Sequence, residues 1–349
     1  MPVPEQNSNK FLWETYETPC WSNNDIQQNA IDPKEDSTSN HNFTIRHLKQ
    51  GGTGARKTWE ASEILLNHLL CEGGPLRDDN ENTSSSCDDE IYNIMELGGG
   101  AGCVAVGLAT ALNHEACQRQ RSGSQTTSNG TDTSQSTGIF YPKARIICTD
   151  NDKATIKNLR HNIARQPTDR NVSKTVRVAS LGWGDNVGGL DFDRAIRDHF
   201  QKRRRKDHSV PVETCVSSAN TPNPGIVNMA AKEEIDPLRL LTHVIASDVL
   251  YGVDALEPLS SVISAIKLRN PEITIILAVR ERSPNAVANL KACIEEKVLR
   301  GLELQVEHSE SDQQERTLNE NLLSDNFSVS VKNVTHAFED TTMNFQMVE

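Results

Sequence analysis

The chain is short of several things, and each shortage removes a class of function. Aromatic residues are only 5% of its 349 residues and hydrophobic ones 36%, so apolar material is confined to short segments parted by polar chain. No apolar run approaches the ~20 residues that cross a bilayer. The first residues, Met1 to Asn7, lack the basic and apolar regions of a signal peptide, so a cytoplasmic protein with no membrane partner is expected. The 8 cysteines never fall at Cys-x-x-Cys spacing, which leaves reduced thiols as the expected state and no metal site.

Positive charge is also scarce. The formal net charge of −12 opposes a phosphate backbone, so general nucleic-acid binding is disfavoured and a basic protein partner fits better. The exception is Lys202-Arg203-Arg204-Arg205-Lys206, a run that reads first as a solvated loop and leaves nuclear import open.

Against these absences stands Glu96-Leu97-Gly98-Gly99-Gly100-Ala101-Gly102, which follows one short apolar run and opens another. A strand that ends in glycines and leads into a helix is a nucleotide-cradling turn. Gly98 and Gly100 bring the main chain close to a ligand while the helix start aims its unpaired N–H groups the same way. A second strand-like run, Ala144 to Cys148, leads to Thr149-Asp150, whose carboxylate can take ribose hydroxyls. Asp150 lies more than twice the roughly 20 residues beyond the glycines that a dinucleotide fold uses. Removing the Ser-, Thr-, Gln- and Gly-rich stretch 113–142 restores the usual spacing. The glycines read Gly-x-Gly-x-Gly with Cys103 at the place of the dinucleotide fingerprint's third glycine, and no Gly-Lys-Ser/Thr follows. Both departures disfavour NAD and ATP and suit an adenosine ligand without phosphate, S-adenosylmethionine being the obvious one.

Apolar periodicity predicts further alternation. Ala61, Ile64, Leu65 and Leu69 make one helix face, and Ile156, Leu159 and Ile163 another. A third short strand runs from Thr175 to Ala179, a fourth from His243 to Ser247 before Asp248, and a fifth from Ile273 to Val279. A helix with Leu290, Ile294 and Val298 is expected to end at Gly301, with last strands at 302–307 and 327–338. The expected fold is α/β, a doubly wound, mostly parallel seven-strand sheet with an antiparallel C-terminal edge. Its expected organisation is a polar extension over 1–40 and one domain over 41–349, interrupted by insertions at about 71–90, 113–142 and 202–237. Gly98, Asp150, Trp183 and Asp248 each follow a strand, where such sheets bind ligands.

Together these stretches resemble the seven-strand S-adenosylmethionine-dependent methyltransferases, and within them the protein-lysine methyltransferase-like group. Thr58-Trp59-Glu60-Ala61 resembles that group's first helix start, with Glu60 where aspartate is usual. Met95 to Gly102 resembles its first cofactor motif, and Thr149-Asp150 its ribose-binding segment. Leu181-Gly182-Trp183-Gly184 is similar to the segment beside the adenine, and Ala246-Ser247-Asp248-Val249-Leu250-Tyr251 to its Asp-x-x-Tyr signature. The resemblance spans roughly residues 45–338 apart from the insertions. It implies cofactor contacts from Trp59, Glu96, Gly98, Gly100, Asp150, Trp183 and Ser247, with Asp248 and Tyr251 at the acceptor. It also implies action on lysines of non-histone proteins, and a monomer is expected. Histidine or small-molecule acceptors, and a catalytically silent binding module, stay open as alternatives.

Overall fold

The computed structural model describes residues 11–17, 42–49, 56–58, 60–71, 74–76, 91–123, 144–168, 171–184, 190–200, 236–280, 282, 285–308, 331–338 and 341–348. An antiparallel pair, β1 (Phe11–Glu17) and β2 (Asn42–Leu48), precedes α1 (Glu60–Leu70). Then come β3 (Tyr92–Leu97), α2 (Cys103–Gly123), β4 (Ala144–Asp150), α3 (Lys153–Arg165), the short α4 (Val172–Thr175) and β5 (Val176–Ser180). The chain continues through α5 (Leu190–Phe200), a 3-10 turn at Pro237–Leu240, β6 (His243–Ser247), α6 (Val253–Arg269) and β7 (Thr274–Arg280). The last elements are α7 (Ala286–His308), β8 (Val331–Phe338) and β9 (Thr341–Val348).

The second sheet has seven strands in the order β5-β4-β3-β6-β7-β9-β8, the doubly wound arrangement expected, with β3 to β7 parallel and the β8–β9 hairpin antiparallel at one edge. Strand order reverses between β3 and β6, so the crevice lies beyond their carboxyl ends. Buried apolar residues cover both faces of the sheet. Ile94, Ile146 and Ile245 pack in one cluster with α1 and α2, while Met95, Val244 and Leu277 pack in another with α6 and α7. Each such side chain contributes about 1.5–3 kcal/mol by leaving water, and burial on both faces explains why β6 and β7 read as continuous apolar runs.

The β1–β2 pair is tied to this body through side chains. The backbone N–H of Arg46 donates to Asn162 Oδ1 at 3.0 Å, and its carbonyl accepts from Asn162 Nδ2 and Asn158 Nδ2 at 3.0 and 2.8 Å. Two asparagines of α3 thus satisfy an edge strand that would otherwise present bare polar groups. Asn162 Nδ2 also donates to the Ala101 carbonyl at 2.8 Å, linking the hairpin to the glycine turn. β1 itself lies within the 1–40 stretch.

Several expected boundaries move. α2 runs through the first eleven residues of the expected insertion, 113–123, because Glu115, Ala116, Gln118 and Arg119 are strong helix formers. Leu76, inside the expected 71–90 insertion, is fully buried. The segment 302–307 is not a strand: α7 continues through it to His308, and the edge strands are β8 and β9. Gly301 is therefore no helix stop. A Cβ there would come within 2.4 Å of Leu268 Cδ1, so the glycine lets α7 lie close against α6. The basic run at 202–206 and most of the other two insertions lie outside the described residues.

Candidate active site

The glycine turn is held by its own backbone. Gly99 N–H donates to the Thr149 carbonyl at 2.8 Å, Gly102 N–H to the Gly99 carbonyl at 2.8 Å, and Gly100 N–H to Asp150 Oδ2 at 3.1 Å. Gly98, Gly100 and Gly102 take φ of 66°, 55° and 92°, conformations that L side chains resist. The missing side chains leave room for protein as well as ligand. A Cβ on Gly98 would meet the Trp183 ring at 3.0 Å, and one on Gly102 would meet Leu159 Cδ1 at 2.3 Å. Close helix packing, which the dinucleotide fingerprint assigns to its third glycine, is here the work of Gly102.

Glu96 lies beneath this turn and does not line the cavity. It accepts from the Cys148 thiol at 2.8 Å and from the Ala105 N–H in the first turn of α2. Burial pushes its carboxyl up to about 7, with those hydrogen bonds opposing.

The two acids after β4 divide their work. Asp152 caps α3, accepting the Thr155 hydroxyl at 2.6 Å and the Thr155 N–H at 2.7 Å, both of which lower its pKa. Asp150 faces the cavity while accepting Gly100 N–H and, at 3.0 Å, Asp152 N–H. Burial raises its pKa and those N–H bonds resist the rise.

The cavity encloses about 380 Å³ at the switch point. Gly98, Gly100, Asp150, Trp183, Ser247, Asp248 and Tyr251 all line it, so residues from four strand ends converge as expected. Ser247 Oγ is hydrogen-bonded to Ser62 Oγ of α1 at 2.8 Å. The Trp183 and Tyr251 rings lie 6.2 Å apart and tilted by 35°, with Tyr251 66% exposed. Trp59 lies outside the described residues, although Lys57 and Thr58 before it line the wall.

Asp248 is the most constrained of the set. Its φ of 53° is left-handed, and its N–H donates to the Ala278 carbonyl at 2.8 Å, so β7 holds it in place. Its side chain is only 3% exposed. Oδ2 pairs with Arg282, just beyond β7, while Oδ1 is buried with no hydrogen-bond partner among the described residues. Burial raises its pKa and Arg282 opposes the rise. Sequence reasoning missed Arg282. The available signal was a cation past a strand end adjacent to the one that bears Asp248.

Against this geometry, the sequence profile of a family described as lysine methyltransferase matches residues 37–198. The match covers 162 of the 349 residues, and over them the chain resembles the S-adenosylmethionine-dependent methyltransferases. No curated protein matches it by sequence. Solved structures similar to it include a predicted O-methyltransferase from Agrobacterium tumefaciens, 15% identical with a TM-score of 0.29 over 60% of this chain and 62% of that one. The METTL16 methyltransferase domain is 10% identical, with a TM-score of 0.33 over 77% and 61% of the two chains. A human methyltransferase 10 domain containing protein is 9% identical, with a TM-score of 0.33 over 78% and 74%. The chain spans less than two thirds of the first two.

The methyl donor of this methyltransferase family is S-adenosylmethionine, and the cavity residues fit it. Asp150, Asp152 and Asp254 line the cavity together with Lys57, an acidic balance that repels phosphate and favours a sulfonium. Asp150 would offer the remaining lone pairs of its carboxylate to a ribose diol, Trp183 would offer a ring face to the adenine, and the turn around Gly98 and Gly100 would offer backbone contact.

Proposed function

We propose that the chain transfers a methyl group from S-adenosylmethionine to a lysine side chain of a non-histone protein, as a cytoplasmic monomer. The observation that carries this reading is Asp248, a cavity-lining carboxylate whose Oδ1 is buried with no hydrogen-bond partner among the described residues. A buried acceptor of this kind costs about 1–3 kcal/mol unless a donor arrives, and an amine is a donor that reaches it on a slim chain. Tyr251 stands exposed beside it, with a ring face that favours a cation.

When bound, the cofactor supplies an electrophilic methyl: the amine lone pair forms the N–C bond, the C–S bond breaks with its electrons going to sulfur, and the nitrogen sheds a proton to water. The protein contributes position. Asp248 takes an N–H of the amine and so turns its lone pair away from the carboxylate, while the rings of Tyr251 and Trp183 wall the path. The test is transfer of tritiated methyl to proteins of a hypomethylated cell extract, read on a gel beside Asp248→Ala. A discrete band that mapping places on lysine is expected, about 100-fold weaker with the variant at unchanged cofactor affinity. An undiminished band with the variant, or a label on another residue type, would reject the reading.

A further inference from the structure

A carboxylate at the acceptor site creates a difficulty. A lysine amine has a pKa near 10.4 and must be neutral to attack, whereas a lone buried carboxylate stabilises the ammonium form and holds it unreactive. The arrangement around Asp248 answers this. Its Oδ2 is already taken by the Arg282 guanidinium, the side chain of which is 29% exposed while that of Asp248 is 3% exposed. The pair is nearly neutral seen from the cavity, and the oxygen left over, Oδ1, is an acceptor without a full charge behind it. Other charged groups that act on Asp248 are Arg280 at the end of β7 and Glu60 at the start of α1. Glu60 lies 3.9 Å from Lys57, and Asp254 lines the cavity from the first turn of α6, with Tyr251 between it and Asp248 in the chain. Arg282 is the cation hydrogen-bonded to Asp248 itself.

We propose that Arg282 is a positioning residue that pins Asp248 by one oxygen and cancels its charge, so that the other oxygen receives the acceptor amine in its neutral form. This rests on the lysine reading above and deepens it. Arg282 bonds to no reacting atom; it works through Asp248. Without it, Asp248 becomes an ammonium trap, which binds the ground state more tightly and slows the reaction.

The experiment uses two probes. The first is n-butylamine, which reproduces the lysine side chain, titrated by NMR at pH 7 into the full chain loaded with S-adenosylhomocysteine. Arg282→Gln is expected to bind it about tenfold more tightly than the natural protein, and Arg282→Lys as weakly as the natural protein. The second probe is the acceptor protein recovered from the extract, at saturating concentration. For Arg282→Gln the kcat at pH 7 should fall about tenfold and the midpoint of the kcat–pH curve should rise by about one unit, with recovery at pH 10. Arg282→Lys should keep the natural midpoint. A loss equal at every pH, or butylamine affinity unchanged in Arg282→Gln, would overturn the proposal. Failure of the lysine reading looks different, as a natural protein that binds cofactor and labels no lysine at any pH, and the butylamine titration decides on Arg282 even then.

Discussion

Replacing Gly99 by alanine tests the packing beneath the cofactor turn. A Cβ at this position would sit 2.0 Å from Cys148 Sγ and 3.1 Å from Glu96 Oε2. Neither atom has an easy retreat: Cys148 is fully buried within β4, and its thiol is committed to Glu96 at 2.8 Å. Overpacking of this kind costs about 1–3 kcal/mol, or roughly 4–8 °C in Tm for ~2 kcal/mol in a domain of this size. The displaced backbone also carries the Gly100 N–H that Asp150 accepts, so cofactor affinity should fall with stability. Cys148→Ala removes the clashing atom at its own cost of about 1–2 kcal/mol in cavity and lost hydrogen bond. The double variant should then be more stable than the sum of the two losses by at least ~1 kcal/mol. Urea unfolding of all four proteins measures this. Additive losses would mean that the thiol does not set the space above Gly99, and the account of the turn would be wrong.

Glu96 predicts a pH dependence. Its folded-state carboxyl titrates at about 7 against an ordinary 4.5, so between those values the folded chain holds a proton that the unfolded chain has released. This part of the stability is present below about pH 4.5 and is lost as pH rises to about 7, by about 3 kcal/mol in all. Glu96→Gln should therefore gain on the natural protein between pH 5 and pH 8 in urea titrations, and parallel curves would contradict the buried-carboxyl account. In the cavity, Asp150→Asn must turn an NH2 toward one of the two N–H groups that the carboxylate accepts, and should weaken S-adenosylmethionine binding about 10-fold or more by calorimetry. Trp183→Ala should weaken it by about tenfold through lost stacking, and an unchanged affinity would remove the indole from the adenine site.

Much of this molecule is local and so was legible in the chain. Glycines that need positive φ, an acid at a strand end, and apolar periods of two kinds announce the turn, the cavity-lining carboxylate of Asp150 and the β–α alternation, because backbone sterics and burial act on neighbours in sequence. Polarity misled where propensity or distant contact ruled. Residues 113–123 are polar yet helical, and Gly301 breaks nothing because what it serves is the Leu268 side chain of another helix. Only the tertiary structure decided which partner each site group has. Arg282 reaches Asp248 because β7 lies beside β6, Cys148 reaches Glu96 because β4 lies beside β3, and Asn162 reaches Arg46 across a gap of 116 residues. Strand order is set by how buried faces pack over the whole sheet, and no single segment of sequence carries that information.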